Sequence, residues 1–349
     1  MSLSSVSTDP RLDDLSRWLT EAGFGHVALV PAAADASFRR YFRLRPECGE
    51  SLIVMDAPPD KESLASWLRI SDLLARAGIH VPKIERADPA LGFVVMEDLG
   101  DDSYARVHAR GSPPWAECID AALEALVRMQ EEIPSDGLPL YDVRKLREEI
   151  DLFPVWLLGR HLGLETERVR RFLAPLSDRL VTEALSTPYR FTHRDYHSRN
   201  LLAGPPPRPG VIDFQDAVWG PVTYDLVSLL KDCYIDWPRR EQKRWLGRYY
   251  DACPRNIRGT LDSETLLGRF DLMGVQRHLK AAGIFARLCW RDGKTAYLDS
   301  IPRTLGYITE AARERPLLEP LADFLQEHVF PHLDDARTRA HREAAACTP

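Results

Sequence analysis

Two short stretches bring together residue types that suit phosphoryl chemistry. His193-Arg194-Asp195-Tyr196-His197-Ser198-Arg199-Asn200 is followed, eleven residues after its last member, by Val211-Ile212-Asp213-Phe214. An alcohol that attacks a γ-phosphate needs a carboxylate near its proton, and Asp195 supplies one. The transfer also needs magnesium bridging the phosphate oxygens, and magnesium takes hard oxygen ligands. Asn200 offers an amide oxygen and Asp213 a carboxylate. The segment between them, Gly204–Gly210 with its four prolines, reads as a turn joining two short strands. His193 is expected to pack and brace the loop, whereas His197 and Arg199 are candidates for substrate or phosphate contact.

Those stretches need a scaffold on both sides. Asp9 caps a helix through Leu12, Leu15, Trp18 and Leu19 that Gly23 ends. Three strand-like runs, His26–Val30, Arg40–Leu44 and Ser51–Met55, precede a helix over Asp60–Ala77, where Leu64, Trp67, Leu68, Leu73 and Leu74 recur at helical spacing. Two further strands are expected at Val81–Arg86 and Gly92–Met96. Beyond Gly100 the chain reads as helices over Ala116–Gln130, Val143–Leu158, Glu165–Leu185, Thr223–Lys231, Arg239–Tyr250, Ser263–Ala286 and Pro302–Arg313. Strand material there is confined to Tyr189–Thr192, Leu201–Ala203 and Val211–Asp213. The expectation is an α+β, two-lobed fold. Residues 1–100 form a small lobe with a five-stranded antiparallel sheet plus helix, and 101–349 form a large, mainly helical lobe.

Bulk properties narrow the class. A chain of 349 residues exceeds a single typical core. A net charge of −6 is spread along the chain and gives no general attraction to nucleic acid. The six cysteines form no Cys-x-x-Cys pair, which speaks against zinc or a disulfide framework. The polar start is unlike a secretory signal, and no apolar run approaches the ~20 residues that span a bilayer. The reading is a cytoplasmic protein with no membrane association and no obligate protein partner.

With the His193–Asn200 loop and Asp213-Phe214 in this order, the chain resembles the aminoglycoside phosphotransferase/choline kinase superfamily, relatives of the protein kinases. The resemblance runs from about Leu29 to Leu230. It implies a protein-kinase-like fold with an ATP site between the lobes, served by backbone groups of the Met96-Glu97-Asp98-Leu99 hinge, so that Met96, Glu97 and Leu99 become nucleotide contacts. It also makes Asp225, in Gly220-Pro221-Val222-Thr223-Tyr224-Asp225, a brace for the catalytic loop. A charge at a helix N-terminus is the other reading of that aspartate.

Two features of the protein-kinase pattern are missing. No G-x-G-x-x-G loop precedes the second strand, and the third strand ends Val54-Met55-Asp56 without its phosphate-pairing lysine. Ser37 and one arginine of the Arg39, Arg40 and Arg43 group, with Arg40 the chosen candidate, are expected to grip phosphate instead. A pseudokinase that binds nucleotide without transferring it is the alternative that these gaps leave open.

The acceptor is read from Gln276 to Lys294, where Arg277, Lys280, Arg287, Arg291 and Lys294 face a single acid, Asp292. Arg277, Lys280 and Arg287 are the candidate substrate contacts, with His197 from the loop. A polycationic aminoglycoside would want acidic or aromatic surroundings, so the basic lining suits a neutral or anionic acceptor. At finer grain, Ala34–Leu44, Ser51–Pro59, His193–Leu202, Ile212–Leu230 and Gln276–Tyr297 are similar to one branch of the superfamily, the anomeric amino-sugar kinases of bacterial cell-wall recycling. That branch implies ATP- and magnesium-dependent phosphorylation of the anomeric hydroxyl of N-acetylmuramate and N-acetylglucosamine, giving a 1-phosphate for nucleotide-sugar synthesis. A kinase for another small hydroxyl compound, such as an aminoglycoside or homoserine, is the alternative within the class.

Overall fold

The computed structural model describes residues 9–25, 28–34, 38–45, 50–61, 63–111, 115–204 and 209–346. The chain divides into two compact units. The first is Met1–Asp101 together with Gly204–Gln215, and the second is Asp102–Ala203 together with Asp216–Pro349. The Gly204–Gln215 segment therefore packs with the first unit, although the helical lobe surrounds it in sequence.

In the first unit, α1 (Pro10–Glu21) starts at Asp9, whose carboxylate accepts the Arg11 N–H at 3.0 Å. Five antiparallel strands follow: β1 (Leu29–Ala34), β2 (Arg40–Leu44), β3 (Leu52–Asp56), β4 (Ile84–Asp88) and β5 (Phe93–Glu97), in the order β1-β2-β3-β5-β4. α2 (Leu64–Arg76) joins β3 to the outer pair. The edge strand begins at Ile84, later than the sequence suggests, because Pro82 has no N–H to give a ladder. The expected start of the first strand at His26 falls outside the described residues.

Register decides which side chains share a face. Arg40 opposes Asp56, Phe42 opposes Val54 and Leu44 opposes Leu52, while Val54 and Asp56 oppose Val95 and Phe93. Phe42, Leu44, Val54, Phe93 and Val95 form one core with Leu15, Trp18 and Leu19 of α1. Strand alternation sends Tyr41, Met55, Val94 and Met96 to the opposite face. The Gly204–Gln215 segment is fixed by Val211, which donates to the His80 carbonyl at 2.7 Å, and by Phe214, whose ring lies 5.3 Å from that of Trp67 in α2.

The second unit is built around one 30-residue helix, Ser263–Asp292, which packs against Val143–Leu152, Phe153–His161, Thr166–Leu185, Tyr224–Leu230 and Ile301–Ala312. Gly283 allows one of these approaches, since a Cβ there would lie 2.4 Å from the Leu152 carbonyl carbon. The expected Val143–Leu158 helix changes at Phe153 to a wider π winding that runs to His161, with Pro154 unable to donate in the α ladder. A two-stranded antiparallel pair, Tyr189–Thr192 with Val218–Pro221, flanks the His193–Asn200 loop. Helices Glu319–His328 and Leu333–Ala346 extend the unit beyond Arg313, where the sequence reading stops.

One cluster of buried charge in this unit is fully paired. Asp271 carries Lys231 (2.9 Å), Arg239 (2.6 Å) and Arg315 (3.1 Å), and Lys231 and Arg239 hold its carboxyl at about 2 against the upward push of burial. The cysteines 118, 233, 253 and 289 are free and buried, while 48 and 347 lie outside the described residues. Among the described residues no helix is long and apolar enough to cross a membrane.

Candidate active site

Backbone strain marks the two motif segments. Among the described residues, only Arg194 (φ +78°) and Asp213 (φ +65°) are non-glycine residues in the left-handed region. Such conformations persist where the surroundings hold them, and they cluster at functional sites.

Arg194 is held from both sides. Its N–H donates to Asp225 Oδ1 at 3.0 Å, and the neighbouring His193 N–H donates to Asp225 Oδ2 at 2.7 Å. Its guanidinium donates to Glu149. Asp225 is fully buried, and burial pushes its carboxyl up to about 7 against the pull of those two N–H donors. A second buried carboxylate, Asp232, accepts the Ser198 N–H at 2.8 Å and the Tyr234 N–H at 2.7 Å. The loop is thus tied by Asp225, the second residue of the helix Tyr224–Leu230, and by Asp232, two residues after that helix. Between the ties, Asp195 donates its N–H to His193 Nδ1 (3.3 Å), and Tyr196 reaches the Ala122 carbonyl (2.8 Å). Asn200 Nδ2 donates to the Asp195 carbonyl at 3.0 Å, which fixes the orientation of its amide.

The side chain of Asp195 stands in a cationic field. Burial would raise its pKa, but Lys280, His197, Arg277 and Arg194 hold it down at about 2. It is therefore an ionised acceptor across the whole physiological range. Lys280 donates to Tyr224 Oη (2.8 Å) and pairs with Glu149 (3.2 Å), and it belongs to a buried network with Tyr141 and Gln276. Arg277 is buried and reaches Cys233 Sγ at 3.7 Å. Its Nε has no hydrogen-bond partner among the described residues, and neither do His197 Nδ1, Ser198 Oγ or Arg287 Nε. Burial and the nearby Arg277 and Arg199 depress the pKa of His197, with Asp232 and Asp195 opposing. Arg199 lies on the exposed side, its guanidinium 3.6 Å above the Tyr234 ring.

In the first unit, Asp213 Oδ1 accepts Gln215 Nε2 at 2.7 Å and lies 3.7 Å from the guanidinium of Arg39. Arg40 occupies a different place. Its Nε donates to Asp56 at 2.9 Å, and Asp9 and Asp56 take up its remaining nitrogens, on the α1 face of the sheet. Arg43 is bound by Asp98 (2.6 Å) and Asp101 (2.9 Å). Met96 is buried, Leu99 is partly exposed, and Glu97 accepts the Lys83 N–H at 3.1 Å through its carboxylate while its own N–H donates to the Lys83 carbonyl at 2.8 Å. Ser37 lies outside the described residues.

Asp213, in the first unit, carries a carboxylate and Asn200, in the second, an amide oxygen, and each is a hard donor of the kind magnesium takes.

The model of the phosphotransferase enzyme family matches residues 28–259, a span that contains both motif segments and both aspartate ties. The chain belongs to that family. Among proteins similar to this phosphotransferase is the N-acetylmuramate/N-acetylglucosamine kinase of Pseudomonas aeruginosa, 44% identical over 92% of this chain and 97% of the relative. The protein of the same name from Pseudomonas putida is 42% identical, with 91% and 97% covered. Among solved structures, the Plasmodium vivax ethanolamine kinase superposes with a TM-score of 0.62 at 10% identity, covering 87% of this chain and 91% of that one. The phosphotransferase therefore has the expected bilobal kinase-like class of fold: a five-stranded antiparallel sheet in one unit and a mainly helical second unit.

Several working residues escape a reading by motif. Glu149, Asp232, Tyr141 and Gln276 organise the second unit's charges but belong to no signature. Glu149 carries a usable signal, because it stands three residues after Leu146 and next to Ile150 on the apolar face of its helix. A carboxylate on such a face demands a cationic partner.

Proposed function

We propose that this phosphotransferase moves the γ-phosphoryl group of ATP to the anomeric hydroxyl of N-acetylmuramate and N-acetylglucosamine, as a cytoplasmic enzyme of peptidoglycan recycling. The hydroxyl donates a hydrogen bond to the Asp195 carboxylate and its oxygen bonds to the γ-phosphorus. The bond to the β-phosphate oxygen breaks, ADP leaves, and the proton passes to Asp195 and then to solvent. A loose transition state asks chiefly for orientation and charge neutralisation, so a carboxylate of low basicity suffices. An anomeric hydroxyl is also more acidic than an ordinary alcohol. Magnesium, with Asn200 and Asp213 proposed as its protein ligands, neutralises charge on the phosphate oxygens when bound. Asp225 and Asp232 position the loop, and His193 fills its interior.

The observation that carries the acceptor class is the buried, incompletely bonded guanidinium of Arg277, one of the cations acting on Asp195. A guanidinium in that state favours a ligand carboxylate, such as the lactyl group of N-acetylmuramate, and it repels a polycationic aminoglycoside. The names of the two Pseudomonas relatives point the same way.

Incubation with ATP, magnesium and either sugar, followed by phosphorus NMR, should yield an anomeric sugar phosphate. No transfer to either sugar would overturn the assignment. Arg277→Gln should raise the KM for N-acetylmuramate by about 10-fold or more, the worth of one charge-assisted hydrogen bond. The KM for N-acetylglucosamine, which has no carboxylate, should change much less. Equal changes for both sugars would remove Arg277 from carboxylate recognition.

A further inference from the structure

We propose that Glu149 is a positioning residue for phosphoryl transfer: by holding Arg194 and Lys280 it keeps both cations off the Asp195 carboxylate, which stays open to the acceptor hydroxyl. The inference deepens the kinase reading above and rests on it.

The Asp195 carboxylate has charged neighbours but no direct partner. Lys280, His197, Arg277 and Arg194 act on it through charge, while among the described residues no donor bonds to it and no ion pair reaches it. Two of those cations are tethered elsewhere, to a single oxygen. Glu149 Oε1 takes the Arg194 guanidinium and, at 3.2 Å, the Lys280 ammonium. Its Oε2 accepts from the Tyr141 hydroxyl and, at 3.4 Å, from Gln276 Nε2, so the carboxylate is fixed on both sides. Lys280 has one further anchor, the Tyr224 hydroxyl at 2.8 Å. Arg194 directly precedes Asp195, and its guanidinium is nevertheless drawn to Glu149. Glu149 and Lys280 are buried, and the Arg194 side chain is 12% exposed. Cations kept from water need a carboxylate, and breaking such a pair leaves a charge in want of another. Asp195 is the other carboxylate whose charge acts on both. Without Glu149 they would turn to it and occupy the lone pairs that must take the hydroxyl proton.

The test is a double-mutant cycle on turnover, with ATP, magnesium and N-acetylglucosamine, in the wild type, Glu149→Gln, Lys280→Met and the variant that carries both. The neutral sugar keeps carboxylate recognition out of the comparison. Glu149→Gln should lower kcat by roughly 10–100-fold, less than loss of the base itself, with the KM for ATP nearly unchanged. Adding Lys280→Met should then raise kcat by about 10-fold, because one of the two released cations is gone. A contact that serves folding alone predicts the opposite, since the second substitution would only add to the first loss. A kcat in the double variant at or below that of Glu149→Gln would overturn the assignment, as would full turnover in Glu149→Gln. Should Glu149→Gln not fold, Glu149→Asp replaces it at each step. Its shorter side chain loosens the hold on Lys280, so Lys280→Met should again raise kcat, and a further fall would overturn the assignment. A wild type that transfers no phosphate to the sugar would instead sink the function proposed above and take this inference with it.

Discussion

Asp195→Asn should lower turnover by about 10²–10⁴-fold, the usual worth of a positioned general base, with Mg-ADP affinity little changed. The amide keeps the size of the side chain and removes its ability to take a proton. Lys280, His197, Arg277 and Arg194 hold the native carboxyl at about 2, so it stays ionised throughout the range in which the enzyme is assayed. Any acid limb in the turnover profile above pH 5 must then belong to another group, and the Asn variant should retain that limb at its lower rate. Stopped assays of sugar phosphate across pH 5–9 measure both features. Near-normal turnover in the variant would remove Asp195 from proton transfer. The same neighbours bear on the size of the effect. They make Asp195 a weak base, so a reaction through a loose transition state with an acidic hydroxyl should fall toward the lower end of that range.

The proposed catalytic set can be read from the sequence because its information is local. Asp195, Asn200, Asp213 and Asp225 fall within about thirty residues, and the chemistry restricts both residue type and spacing. The sheet was legible for a related reason, since alternating apolar residues and a proline-free core mark β2, β3 and β5. What escaped depends on contacts distant in sequence. Asp232 looks like any acid after a helix until Ser198 is seen to donate to it from 34 residues away. The strand Val218–Pro221 contains Gly220 and Pro221, which read as a turn, and only its pairing with Tyr189–Thr192 makes it a strand. The sheet face of Arg39 and of Arg40 was within reach of the sequence. Phe42 and Leu44 share the parity of Arg40, so the face they bury against α1 also holds Arg40, and Arg39 falls on the other side.

The Asp225 tie should show itself in stability and in turnover together. Asp225→Ala strands the N–H groups of His193 and Arg194, each at a cost of about 1–3 kcal/mol when buried. It also frees Arg194 to leave a left-handed conformation that the two bonds help to hold. A loss of about 3 kcal/mol in unfolding free energy is expected, and kcat should fall with little change in the KM for ATP, because the loop that carries Asp195 loses its anchor. Asp225→Asn should be milder at each readout, since one carbonyl oxygen survives while the amide nitrogen faces a donor. The gap between wild type and Asn should also depend on pH. With the folded carboxyl pushed up to about 7, above its unfolded value near 4, protonation favours the native state most at acid pH. That advantage fades as pH rises through about 7, so urea denaturation should find a larger gap at pH 5 than at pH 8. A gap that widens with pH would mean that the two N–H donors outweigh burial and that Asp225 is ionised in the folded protein.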